Sequence, residues 1–127
     1  MKGFGEEKKT IQQKNIRNEN KIIKEQIINK AFTLHSQGNI SEATKYYQSF
    51  IKQGFKDFRV FSNYGFILIG LGKLKEAEFS YRKAIELKPD YGEAYLNLGN
   101  ILQNIGNFKE AELSLRKVIE LKPDYAE

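Results

Sequence analysis

An internal period of 34 residues restricts the fold of this chain more than any other feature of its sequence. Gly38, Gly72 and Gly106 stand one period apart, and so do Glu42, Glu76 and Glu110, and Ala43, Ala77 and Ala111. Ala31, Gly65 and Gly99 keep the same step, as do Pro89 and Pro123. The segments KEAEFSYRKAIELKPDY and KEAELSLRKVIELKPDY differ at only three positions. A period of this length means one small structural unit per copy. Such a unit cannot bury its apolar face alone, so the copies must stack.

Each copy reads as two helices. The first has apolar residues at helical spacing: Phe61, Tyr64, Leu68 and Leu71 in one copy, Tyr95, Leu98, Leu102 and Ile105 in the next. It stops at Gly72 or Gly106, because glycine accepts the left-handed conformation that ends a helix. The second helix begins at once, with Glu76 or Glu110 in its first turn to complement the helix dipole. Tyr81, Ala84, Ile85 and Leu87 form its buried stripe, and Pro89 forbids its continuation. The helices are expected over 20–37 with 40–53, 57–71 with 74–87, and 91–105 with 108–121. Asn39 and Asn107 are expected to cap two of the second helices, and Asp90 with Glu93 to form a capping box that Asp124 and Glu127 repeat. Gly65 or Gly99 on the first helix and Ala77 or Ala111 on the second remove bulk where the two cross. Each large side chain fully buried beside that crossing contributes roughly 1.5–3 kcal/mol, so a single pair is marginal without its neighbours.

The pattern Tyr95, Leu98, Gly99, Leu102, Ala111, Leu115, Val118, Pro123 resembles the tetratricopeptide-repeat signature, with Val118 in place of the usual small residue. Phe61, Tyr64, Gly65, Leu68, Ala77, Tyr81, Ala84 and Pro89 match it as well. The first copy keeps Ala31, Leu34, Gly38, Ala43 and Tyr47, but has Lys30 where Tyr64 and Leu98 stand, and Phe55 where the prolines stand. A degenerate first copy suits a solvent-facing cap. The resemblance implies an all-α fold, a right-handed superhelical solenoid of three antiparallel helix pairs. The repeats would span 24–57, 58–91 and 92–125, with an incomplete fourth starting at 126. The repeat domain is expected over 20–127, behind a basic, flexible tail over 1–19.

Charge separates that tail from the body. Residues 1–30 hold eight basic side chains against four acidic ones, whereas 31–127 hold thirteen against twelve. A basic leader can touch nucleic acid or an anionic membrane. With Phe4 as its one aromatic residue, base stacking has little to work with, and a solvated leader is the preferred reading. The chain has no cysteine, so neither disulfides nor thiolate metal sites arise. MKGFGEEKKTIQQ contains no apolar signal core, and no apolar run approaches the roughly 20 residues of a membrane span. The expected setting is cytoplasmic, with no membrane partner.

In the family resembled, the first helices of the stacked pairs line a concave groove. The sixth residue of each copy is Asn29, Asn63 and Asn97. This ladder is similar to the groove asparagines of O-linked N-acetylglucosamine transferases, whose carboxamides grip peptide backbone. A carboxamide donates and accepts, so it pairs with any peptide amide. The proposed partner-binding set is Asn29, Phe32, Arg59, Asn63, Phe66, Asn97, Asn100 and Gln103, with Ile28, Ser62, Ile69 and Leu96 around it. Phe32 and Phe66 are either anchors for a partner or core residues. A carboxylate clamp like that of chaperone adaptors keeps only Asn63. Ile28 and Leu96 occupy its cationic positions, and Phe32 and Asn100 its remaining polar ones, so an acidic tail would be desolvated at a loss.

No catalytic, cofactor or metal site is expected. Gly70-Leu71-Gly72-Lys73 hints at a phosphate loop, but Ile67 stands where the first glycine must be and no strand precedes it. His35 is the one histidine, with no companion ligand at helical spacing. The function expected is a protein-interaction scaffold that binds a peptide or partner protein. The alternative is the N-terminal, substrate-recruiting part of a larger enzyme, such as a glycosyltransferase-like protein. The second helix of the third copy has no following helix to cover it, and self-association through that face is expected.

Overall fold

The computed structural model describes residues 4–121. Within them lie six helices and no strand. Two compact units divide the chain, Met1–Phe55 and Lys56–Glu127. The first holds α1 (Phe4–Ser36) and α2 (Ile40–Lys52); the second holds α3 (Phe58–Gly70), α4 (Leu74–Leu87), α5 (Gly92–Ile105) and α6 (Phe108–Leu121).

Five of the six helices lie within a residue or so of their expected bounds. The exception is α1, which begins at Phe4 instead of near residue 20. From Glu6 to Gln37 there is neither glycine nor proline, and Lys, Glu, Gln and Ile dominate. Good helix formers extend a helix already anchored at one end, because propagation costs far less than nucleation. The exposure of Ile11, Ile16 and Ile22 shows that no packed face holds this extension.

The turns between paired helices explain why the side-chain cap expected at Asn39 does not form. Gly38, Gly72 and Gly106 have φ of 79°, 75° and 95°. The next residue sends its N–H back to close the preceding helix: Asn39 to Leu34, Lys73 to Leu68 and Asn107 to Leu102, at 2.9, 2.9 and 2.8 Å. The carbonyls of the same three residues accept the first bond of the following helix, each at 3.0 Å from Ala43, Ala77 or Ala111. One residue thus ends one helix and starts the next. That double duty holds Asn39 at φ −85°, ψ 70°, away from the extended geometry a capping side chain needs, and it makes no cap bond. Asn107 does cap α6, its Oδ1 accepting from the Glu110 N–H in a long bond of 3.5 Å. Asp90 and Glu93 form no capping box: Tyr91 is the N-cap of α5, Asp90 lies 3.9 Å from Lys88, and Glu93 accepts from the Tyr91 hydroxyl. Asp124 and Glu127 lie outside the described residues. Asp57 is a true cap, accepting from the Arg59 N–H at 2.9 Å.

In the first unit α1 packs on α2 through Ala31 and Ile28 against Ala43, Tyr47 and Phe50, all buried. His35 is satisfied there: its Nδ1 lies 2.8 Å from the Tyr47 hydroxyl, and the rings meet edge to face. In the second unit the close crossings fall where the small residues predicted them. A Cβ built on Gly65 would lie 2.8 Å from Tyr81 Cε2, and one on Gly99 2.8 Å from Leu115 Cδ2. Ser80, which the sequence did not single out, adds a buried bond from its hydroxyl to the Phe61 carbonyl at 2.6 Å, tying α4 to α3.

Candidate partner-binding face

Within the second unit, α3 and α5 carry matching stripes. Arg59, Asn63 and Phe66 follow at steps of four and three, which one helical face accommodates, and Asn97, Asn100 and Gln103 follow at steps of three on α5. Asn63 and Asn97 are half-buried, while Phe66, Asn100 and Gln103 are exposed. The buried faces of the same helices hold Val60, Phe61, Ile67 and Leu68 on α3, and Ala94, Leu98, Ile101 and Leu102 on α5. These apolar residues fix how each helix is rotated, and so decide that Phe66, Asn100 and Gln103 are left exposed.

The structure resolves the two phenylalanines differently. Phe66 is 63% exposed, far from a core residue. Phe32, in the first unit, is half-buried and leans on Tyr47, with ring centroids 6.2 Å apart. Asn29, in the same unit, is exposed on α1. Two neighbours assigned to the groove are not available to a ligand: Ile28 and Ser62 are each only 6% exposed. They sit at one repeat position. Leu96, the third member of that position, is 39% exposed.

Arg59 is the cation on this face, and it is committed. Its guanidinium donates twice to the Asp57 carboxylate, at 3.1 and 2.8 Å, so the cap of α3 also neutralises it. The hydrogen bond to Asp57 raises the Arg59 pKa, with the attraction between the charges adding to it. An acidic ligand would have to compete with that two-point pair for Arg59.

Sequence reasoning missed a polar chain at the junction of α3 and the α4–α5 turn. The buried Ser62 hydroxyl bonds to Tyr91, whose own hydroxyl donates to Glu93 at 2.5 Å. Burial, followed by the bond to Glu93, raises the Tyr91 pKa, so its hydroxyl keeps its proton and remains a donor. Phe58 meets Tyr91 edge to face at 5.0 Å, with the Lys88 ammonium 5.0 Å from the Phe58 ring. The signal was present in the recurrence of Tyr91 at Tyr125, one period on. Among the described residues, no helix is long and apolar enough to cross a membrane.

The repeat has known counterparts. The TPR repeat family matches residues 65–106, and the Tetratricopeptide repeat family matches residues 92–125. No curated protein matches the chain. Among solved structures, the chain is similar to the second TPR of Spaghetti (RPAP3) bound to HSP90 peptide SRMEEVD, at 24% identity and TM-score 0.72, covering 94% of this chain and 100% of that one. The first TPR of Spaghetti, bound to the same peptide, gives 24% identity and TM-score 0.67 over 76% of this chain and 77% of that one. The Arabidopsis OM64 TPR domain gives 22% identity and TM-score 0.70 over 80% and 84%. At these identities the likeness is one of fold, and it is the expected all-α solenoid of helix pairs. The two family matches overlap over 92–106 and together span 65–125, so that stretch is built of tetratricopeptide repeats, in the fold of the solved TPR domains.

Proposed function

We propose that this chain is a protein-interaction module that binds an extended, largely uncharged peptide along the outward stripes of α3 and α5. The observation that carries this reading is Phe66, 63% exposed beside Asn63 and one repeat from Asn97 and Asn100. A large ring held in water by an otherwise ordered helix is free to anchor an apolar side chain. Carboxamides on either side can pair with the backbone amides that flank it. The tetratricopeptide repeats of Spaghetti that hold the acidic peptide SRMEEVD support the general role, but the chemistry of this face points elsewhere. Its one cation is already paired with Asp57, so a carboxylate-rich tail gains no new charge-assisted bond.

The test is a selection of displayed peptides against the 127-residue chain, with the winners titrated against variants. Asn63→Ala and Asn97→Ala are expected to weaken binding by roughly 1–3 kcal/mol each, the cost of leaving a partner amide unpaired. Because Phe66 is exposed, Phe66→Ala should lose affinity with no loss of melting temperature. Lys83→Ala, on α4, should change neither. Equal losses from Lys83→Ala and Asn63→Ala would place recognition elsewhere, as would tight binding of SRMEEVD with no effect of Phe66→Ala.

A further inference from the structure

Residues 10–23 of α1 are exposed without exception. What leaves them open is the difference in length between the two helices of the first unit: α1 has 33 residues and α2 has 13. At about 1.5 Å per residue, the exposed run is a rod of roughly 20 Å. Its charge is uneven. Lys14, Arg17, Lys21 and Lys24 are the bases over 10–24, and Glu19 is the one acid.

As a loose tail these cations would have no fixed arrangement. On a helix they have one. Steps of three, four and three residues put all four within a stripe about 80° wide, with Glu19 on the opposite side. Gln13, Asn18 and Asn20 flank the stripe, and Glu25 bounds it at its C-terminal end. Lys14, Arg17 and Lys21 are exposed, and Lys24 is half-buried. Every ion pair among the described residues lies between Glu42 and Glu120, so none engages these four charges. Like charges one turn apart repel, and an anionic partner relieves that repulsion.

We propose that this stripe binds double-stranded DNA, with the exposed run of α1 lying in the major groove. The groove is about 12 Å wide and a helix with its side chains about 10–12 Å across, so the rod fits along it. With the stripe turned inward, its long side chains reach guanine edges and phosphates. The carboxamides on its flanks donate to phosphate oxygens along the groove walls. One phosphate charge for about every 1.7 Å of duplex axis offers each of the four cations a partner. Other anions fit less well. On the back of the helix Ile11, Ile16, Ile22 and Ile23 are interrupted by Gln12, Asn15 and Glu19, so no continuous apolar face can sink into lipid. The run has no aromatic side chain on which unpaired bases could stack, which disfavours single strands. Duplex RNA has a major groove too narrow to admit a helix. The site lies within the first unit and stands whether or not a peptide binds along α3 and α5.

Fluorescence anisotropy of a short labelled DNA duplex, titrated with the 127-residue chain at several salt concentrations, tests this. Four neutralised phosphates give a slope of log K against log salt of about −3.6, or roughly a hundredfold loss of affinity between 50 and 200 mM. Arg17→Gln with Lys21→Gln should lower affinity by more than about tenfold and cut the slope to about half, with melting unchanged because both residues are exposed. Lys30→Gln, on the back of the same helix, should leave both nearly unchanged. Asn18→Pro keeps every charge but breaks the helix between the cations, and should weaken binding as much as the double change does. No binding at low salt would overturn the proposal, as would equal losses from Lys30→Gln and the double change. An Asn18→Pro variant that binds like wild type would also overturn it, because a loose basic tail would then suffice. So would duplex RNA, single-stranded DNA, phosphatidylserine vesicles or polyglutamate bound as tightly as duplex DNA.

Discussion

Gly65→Ala is the sharpest perturbation the packing offers, because two opposing effects can be weighed. Alanine is the better helix former by about 0.8–1.0 kcal/mol, so at an open site the change would stabilise α3. Gly65 is not open. Its new methyl would lie 2.8, 3.0 and 3.1 Å from Cε2, Cδ2 and Cζ of Tyr81. Carbon atoms prefer about 3.5–4.0 Å, so ring and helix must part by about 0.7 Å or more. Tyr81 is a rigid ring, only 1% exposed, with no free space to enter. Overpacking of this kind costs about 1–3 kcal/mol, which exceeds the helix gain over most of its range. The net expectation is a loss of about 0.5–2 kcal/mol, measured by urea unfolding followed by circular dichroism. Gly99→Ala is the internal control. It meets Leu115 Cδ2 and Cγ at 2.8 and 2.9 Å, but Leu115 is half-buried, flexible and borders an open depression. That side chain can turn aside, so the helix gain should offset most of the clash. Changing Tyr81→Leu in the Gly65→Ala background, which copies the Gly99–Leu115 pairing, should cost less than the two single changes added together. A Gly65→Ala protein as stable as wild type would refute the reasoning, as would Gly99→Ala being the more damaging change.

Two further outcomes follow from the local structure. Asp57→Ala removes the one side-chain cap observed at the start of α3 and should cost about 0.5–2 kcal/mol in the same unfolding experiment, with Asp57→Asn or Asp57→Ser recovering most of it. A chain that begins at residue 20 should melt at the same temperature as the full chain while losing helical signal in proportion to its length, because the side chains described over 10–23 are exposed; a clear drop in melting temperature would show that the first half of α1 is held by packing.

Most of the architecture could be read from residue order, for a physical reason that particular residues illustrate. A glycine 34 residues from the next, with a small residue and a proline keeping the same step, sets helix ends and close crossings through local geometry and excluded volume, which act over a few residues. Hence five helix spans, the left-handed Gly38, Gly72 and Gly106, and the Gly65–Tyr81 contact agree with expectation. The start of α1 was not legible, because a polar stretch of good helix formers carries no apolar period to mark where packing ends and propagation continues. A side-chain cap was expected at Asn39 from its residue type and its spacing to Glu42, yet that turn residue is held by backbone bonds to both helices. The face on α3 and α5 was half legible. Composition and register place Asn63 and Phe66 on one stripe of α3 and Asn97 on the matching stripe of α5, but only the rotation imposed by Val60, Ile67, Ala94 and Ile101 leaves Phe66 in water while burying Ser62. Burial depends on what lies across from a residue, and no pattern along one helix contains that information. Repetition of the sequence determined that helix pairs would form and where each would bend. Tertiary structure decided which of their polar and aromatic side chains are left exposed, because that is settled by the neighbour each helix meets.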